Sequence, residues 1–88
     1  MKKVIDKQSF YQELSEGRLN LSEALKKMRS IANMTQVEYA RFVGVAPRII
    51  IDLERGVGNP TIKSLEKIAK PFRLVLTWMP IALIEEKE

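Results

Sequence analysis

Apolar positions recur at helical spacing along the chain, in short runs cut by glycine, proline and capping residues. Phe10, Tyr11 and Leu14 predict a short helix that stops at Gly17. Asn20-Leu21-Ser22-Glu23 reads as a capping box. Its asparagine side chain can accept from the Glu23 amide while the glutamate reaches back. The helix it opens places Leu21, Leu25, Met28 and Ala32 on one stripe and ends near Asn33. Thr35-Gln36-Val37-Glu38 is a second capping box, opening a helix with Val37, Ala40 and Val43 turned inward and a stop at Gly44. Pro47 suits the first turn of the next helix, where its missing amide costs nothing. That helix points Ile50 and Leu53 inward and ends at Gly56. Thr61 can cap a further helix carrying Ile62, Leu65, Ile68 and Ala69, which ends before Pro71.

After Pro71 the pattern changes. Phe72 to Met79 is rich in branched and aromatic residues, is stopped by Pro80, and reads as a β-strand. A lone strand beside helices leaves its backbone groups unpaired. The economical partner is the same strand of a second copy across a two-fold axis, with Phe72, Leu74, Leu76 and Trp78 at the dimer contact. An extended segment lying on the domain surface is the other reading of the same residues. The expected fold is all-α: a bundle of four to five helices with this C-terminal strand. The expected divisions are an N-terminal extension with a short helix over residues 1–20, a helical domain over 21–71, a strand over 72–80 and an acidic tail over 81–88.

Within the bundle, the capped helix at Thr35, the break at Gly44-Val45 and the helix beginning at Pro47 form a helix-turn-helix. Two short helices at a steep angle let the second enter a DNA major groove while the first lies over the backbone. The face of the second helix that misses the core carries Pro47, Arg48, Ile51, Asp52 and Arg55. Arg48 is the candidate guanine contact, because its fork matches O6 and N7, and Ile51 can meet thymine methyls. Asp52 lies one turn from Arg48 and can hold it toward a base edge. Arg55 and Lys63 are candidate phosphate contacts. Gln36 joins them, because backbone amides and a side-chain amide meet at its helix start.

Charge sharpens this picture. The chain has 88 residues and a formal net charge of +4. Residues 21–73 hold ten basic and five acidic groups, residues 1–20 four and three, and residues 74–88 one and three. A basic middle and an acidic end suit a body that faces a polyanion while its tail points elsewhere. There is no cysteine and no histidine. This removes disulfides, thiol and imidazole catalysis and the commonest metal ligands. Gly56-Val57-Gly58 reads as a helix stop and not a phosphate-cradling loop. The clustered acids Glu85, Glu86 and Glu88 have no second cluster to support a metal site. No enzyme, cofactor or metal is therefore expected. Met1-Lys2-Lys3 is followed by Asp6, Lys7 and Gln8 where a signal peptide has an apolar run. The longest nearly apolar stretch, Leu74 to Ile84, is broken by Pro80 and is short of the ~20 residues a membrane span requires. The expectation is a soluble intracellular protein with no membrane partner.

The residues Leu25, Arg29, Thr35-Gln36, Ala40, Gly44-Val45, Ile50, Leu53-Glu54-Arg55-Gly56, Asn59-Pro60-Thr61, Leu65 and Ala69 together resemble the lambda-repressor-like (XRE, Cro/C1-type) helix-turn-helix family. Within it, Glu54-Arg55-Gly56-Val57-Gly58-Asn59-Pro60-Thr61, followed by Lys70-Pro71-Phe72 and an apolar run, is similar to the HipB-type antitoxins, partners of HipA-like kinase toxins. The resemblance implies a homodimeric repressor on a palindromic double-stranded operator, in the bacterial cytosol or nucleoid. It implies autoregulation and a HipA-like kinase as partner. It also implies that Arg29 and Glu54 form a partly buried structural ion pair.

Four features depart from the family pattern. Ala46 stands where a serine or threonine cap is usual, and Arg73 where glycine is frequent. Ile49-Ile50-Ile51 is unusually apolar for a surface approaching DNA, and Asp52 is anionic. They keep two other readings open: a stand-alone phage-type or host repressor, and a protein-interaction module whose isoleucine face docks a partner without DNA.

Overall fold

A computed structural model describes residues 7–80. Five helices follow one another: α1 (Lys7–Ser15), α2 (Leu21–Ala32), α3 (Gln36–Val43), α4 (Pro47–Glu54) and α5 (Ile62–Ala69). A 3-10 turn over Lys70–Phe72 closes the bundle. The caps form where local chemistry places them. Asn20 Oδ1 accepts from the Glu23 amide at 2.8 Å while Glu23 Oε1 accepts from the Asn20 amide at 3.0 Å. Thr35 and Glu38 repeat the arrangement at 3.1 and 2.9 Å, and Thr61 Oγ1 accepts from the Ser64 amide at 3.0 Å. Each pair satisfies backbone donors that a helix start otherwise leaves open. Ala46 makes no side-chain cap, and Pro47 opens α4 with no amide to satisfy.

The core is built from Phe10, Leu25, Met28, Tyr39, Ala40, Ile50, Leu53, Ile68 and Phe72. Its largest fully buried side chains are Tyr39, Phe10, Leu25 and Ile50. Phe10 meets Phe72 edge-on at 5.7 Å, and the Tyr11 hydroxyl donates to the Phe72 carbonyl at 2.8 Å. Helix α1 is thereby part of the same core as the helix-turn-helix. The Tyr39 hydroxyl donates to the Ile68 carbonyl at 2.8 Å, tying α3 to α5, and burial pushes its pKa up to about 12.

Several expected positions move. On α3 it is Tyr39 that lies fully inside with Ala40, while Val37 is exposed. Eight residues make barely two turns, so a large ring that finds a hydroxyl partner outcompetes a valine two positions away. Leu21 and Ile62, each at the first position of its helix, are exposed. The expected strand over 72–79 is absent among the described residues. Phe72 ends the 3-10 turn inside the core, Arg73 turns at φ 56°, and residues 74–80 carry no helix or strand. A strand needs a ladder partner, and one chain offers none there. The run Ile81 to Ile84 and the acidic tail lie outside the described residues. No helix among the described residues is long and apolar enough to cross a membrane.

Candidate nucleic-acid interface

The junction of α3 and α4 starts at Gly44. It takes φ +84°, a left-handed conformation that glycine adopts without strain, and its amide donates to the Ala40 carbonyl at 2.9 Å. Val45 donates to the same carbonyl at 3.0 Å, so the chain reverses within a few residues. Lys67 of α5 approaches the Gly44 carbonyl at 3.4 Å, placing a cation at the negative end of α3.

Behind the turn, a carboxylate braces three helices. Glu54 at the end of α4 is 6% exposed. Arg29 of α2 grips it with both arms of its fork, Nε to Oε2 at 2.7 Å and Nη2 to Oε1 at 3.0 Å. Arg29 Nη1 donates to the Met34 carbonyl at 3.0 Å, just before α3. Gln36 Nε2 donates to Glu54 Oε1 at 3.1 Å, and the Ser22 hydroxyl donates to the Glu54 carbonyl at 2.7 Å. Hydrogen bonding to Glu54 raises the Arg29 pKa above its ordinary value, against the opposing effect of burial. A bidentate pair with further donors on the same carboxylate can repay the cost of removing the charges from water. Among the expected phosphate contacts, Gln36 thus has one amide hydrogen engaged inside the fold. The part played by Ser22 has no signal in the sequence, because it acts on a backbone carbonyl far along the chain.

Along α4, Pro47 and Arg48 are exposed and Ile51 and Asp52 half-buried, and Arg55 is exposed just past its end. Arg48 Nε faces Asp52 Oδ1 at 3.6 Å across one helical turn. The Arg48 side chain is 76% exposed, so its fork remains available. The isoleucine run splits by helical phase. Ile50 is fully buried and Ile49 packs against the core, which leaves Ile51 alone on the outer side. The surface is therefore less apolar than the sequence suggests. Lys63 stands exposed on α5. Of the expected dimer residues, Phe72 is in the core and Leu74 is half-buried against it. Leu76 and Trp78 are exposed, together with Val75 and Met79, which were not singled out from the sequence.

The fold and this interface define a helix-turn-helix module, and comparison with known proteins assigns its family. The helix-turn-helix family model matches residues 25–78. The chain belongs to that family, of XRE type, and the relatives it matches carry the name HTH-type transcriptional regulator. It is 39% identical to an uncharacterized HTH-type transcriptional regulator of Archaeoglobus fulgidus over 64 residues, which cover 73% of this chain and 87% of the relative. A second such regulator, of Methanocaldococcus jannaschii, is 38% identical over 52 residues, 59% of this chain and 79% of the relative. A further one from Archaeoglobus fulgidus is 44% identical over 48 residues, which are 54% of this chain but 21% of that relative. No solved structure matches the chain at significance.

Proposed function

We propose that this chain is a sequence-specific DNA-binding repressor that acts as a homodimer in the cytosol on a palindromic operator beside its own gene. The observation that carries this reading is the pairing of brace and surface. Arg29, Glu54 and Gln36 lock α2, α3 and α4 at one junction. Beside this junction, α4 offers Pro47, Arg48, Ile51 and Asp52 for base edges, with Arg55 and Lys63 for phosphates. A rigid helix with an arginine fork at its first turn suits major-groove reading. The basic balance of residues 21–73 supplies the sequence-independent attraction. The exposed Val75, Leu76, Trp78 and Met79 support dimerisation, since such apolar side chains are stabilised when covered. In the dimer, residues 74–79 of two copies pair as strands, and Phe72 anchors each strand to its core.

The run from Glu54 to Thr61 and the Lys70-Pro71-Phe72 segment support a finer reading, that the chain is the antitoxin of a HipA-like kinase. Co-purification of the two from cells that carry an adjacent kinase-like reading frame tests it. Absence of any such complex leaves the stand-alone repressor. DNA binding itself is tested by fluorescence anisotropy on the duplex upstream of the gene and on a scrambled duplex at several salt concentrations. The expected result is tighter binding to the first, with affinity falling steeply as salt rises. Salt-insensitive behaviour, or no binding to either duplex, sinks the reading.

A further inference from the structure

The loop from Gly56 to Thr61 lies against α4 at Asp52, where Val57 and Gly58 meet it. A β-carbon on Gly58 would stand 3.0 Å from the Asp52 Cβ and 3.6 Å from Asp52 Oδ2. The nearest atom is itself a β-carbon held by helix backbone, so no side-chain rotation relieves the contact. The loop or the helical turn must then give by a few tenths of an ångström. The Val57 amide also donates to the Asp52 carbonyl at 2.9 Å, which seats the loop on that turn. On its other side, Asp52 Oδ1 faces Arg48 Nε at 3.6 Å. Asp52 thus lies between the loop and Arg48, its backbone carbonyl bonded to the loop and its Oδ1 facing the arginine.

We propose that Gly58 is a specificity-determining positioning residue: its missing side chain lets the loop hold Asp52, and Asp52 in turn aims the Arg48 fork at a base edge. This rests on α4 being the DNA-reading helix. Gly56 serves as an internal control. It has φ +76°, close to the +92° of Gly58, but a β-carbon there meets nothing within 4 Å. Alanine at either site carries the strain of a left-handed backbone, and at Gly58 alone it also displaces Asp52.

The test titrates wild type, Gly58→Ala, Gly56→Ala and Asp52→Asn against operator, scrambled duplex and single base-pair variants of the operator. Each is measured at a temperature where circular dichroism reports a fully folded protein. Gly58→Ala loses about tenfold in the ratio of operator to scrambled affinity and flattens preference at the base pairs nearest Arg48. Gly56→Ala keeps the ratio within about twofold, since backbone strain alone does not move Asp52. Asp52→Asn leaves the Gly58 contact intact yet flattens the same base pairs. Adding Gly58→Ala to it costs less than about a further twofold, because the two act through one contact. Unchanged base preferences in Gly58→Ala, or equal flattening in Gly56→Ala, overturn the proposal. Should Gly58→Ala not fold, unchanged preferences in Asp52→Asn overturn it alone. Equal binding of wild type to operator and scrambled duplex is a separate failure, that of the DNA-reading helix, and it removes this proposal too.

Discussion

Glu54 is the residue on which most of the interface geometry depends. Its carboxylate is almost fully buried and takes three side-chain donor contacts, two from Arg29 and one from Gln36. Removing one partner of such a pair costs about 3–5 kcal/mol, because the other is left uncompensated. The Arg29 side chain keeps 25% exposure and can partly rehydrate, so Glu54→Ala should fall near the lower end of that range. Glu38→Ala removes only a capping contact and should cost about 1 kcal/mol. Urea denaturation of the two variants measures the difference, and equal losses would contradict the brace. Tyr39 gives a second residue-scale prediction. Its phenol is held at about 12 against an ordinary 10.0. Below pH 10 both folded and unfolded chains carry the neutral phenol, and the fold keeps its full stability. Between pH 10 and about 12 only the unfolded chain ionises, so stability falls with rising pH, by about 3 kcal/mol in all. Tyr39→Phe should begin about 1 kcal/mol lower, having lost its hydrogen bond to Ile68, and should lack that share of the alkaline decline. Parallel stability curves from pH 8 to 12 would show that the phenol is not buried in this way.

At the scale of the element, the legible parts were those set by adjacent residues. Asn20, Thr35 and Thr61 announce helix starts because a cap needs only a side chain and an amide three residues on. Pro47 and Gly44 announce a start and a stop through their own backbone preferences. The inward face of α3 was not legible in this way, because Val37, Tyr39, Ala40 and Val43 offer two apolar faces over two turns. Only the distant Ile68 carbonyl decides for Tyr39. The strand does not form within the single chain for a related reason: alternation and β-propensity describe a segment, while a strand also needs a neighbour. The end of α5 instead winds into a 3-10 turn, which Arg73 closes at φ 56° with its amide donating to the Lys70 carbonyl at 2.9 Å. A side-chain-bearing residue is strained there by about 1 kcal/mol relative to glycine. Arg73→Gly should therefore stabilise the protein by about that amount, raising the melting temperature by roughly 4–8 °C. A lower melting temperature would mean that the arginine side chain contributes more than its backbone costs.

At the scale of the whole molecule, a basic body carries an apolar and acidic C-terminal end. The two have separable tasks if the body reads DNA and the end joins copies. Deleting residues 74–88 should leave a folded monomer, since Phe72 and the core remain, with much weaker operator binding. Sedimentation of that truncation as a dimer would place the interface elsewhere. Deleting only residues 81–88 should preserve both dimerisation and operator affinity, and loss of affinity alone would give the tail a role at the DNA. The proposal that α4 reads DNA is tested most directly by Arg48→Ala, titrated against operator and scrambled duplex at several salt concentrations. Its cognate binding should weaken by about 1–3 kcal/mol with scrambled binding nearly unchanged, while Lys63→Ala weakens both alike and lowers the salt slope by about one. If Arg48→Ala lost affinity equally on the two duplexes, Arg48 would be a phosphate contact and α4 would not read sequence through it.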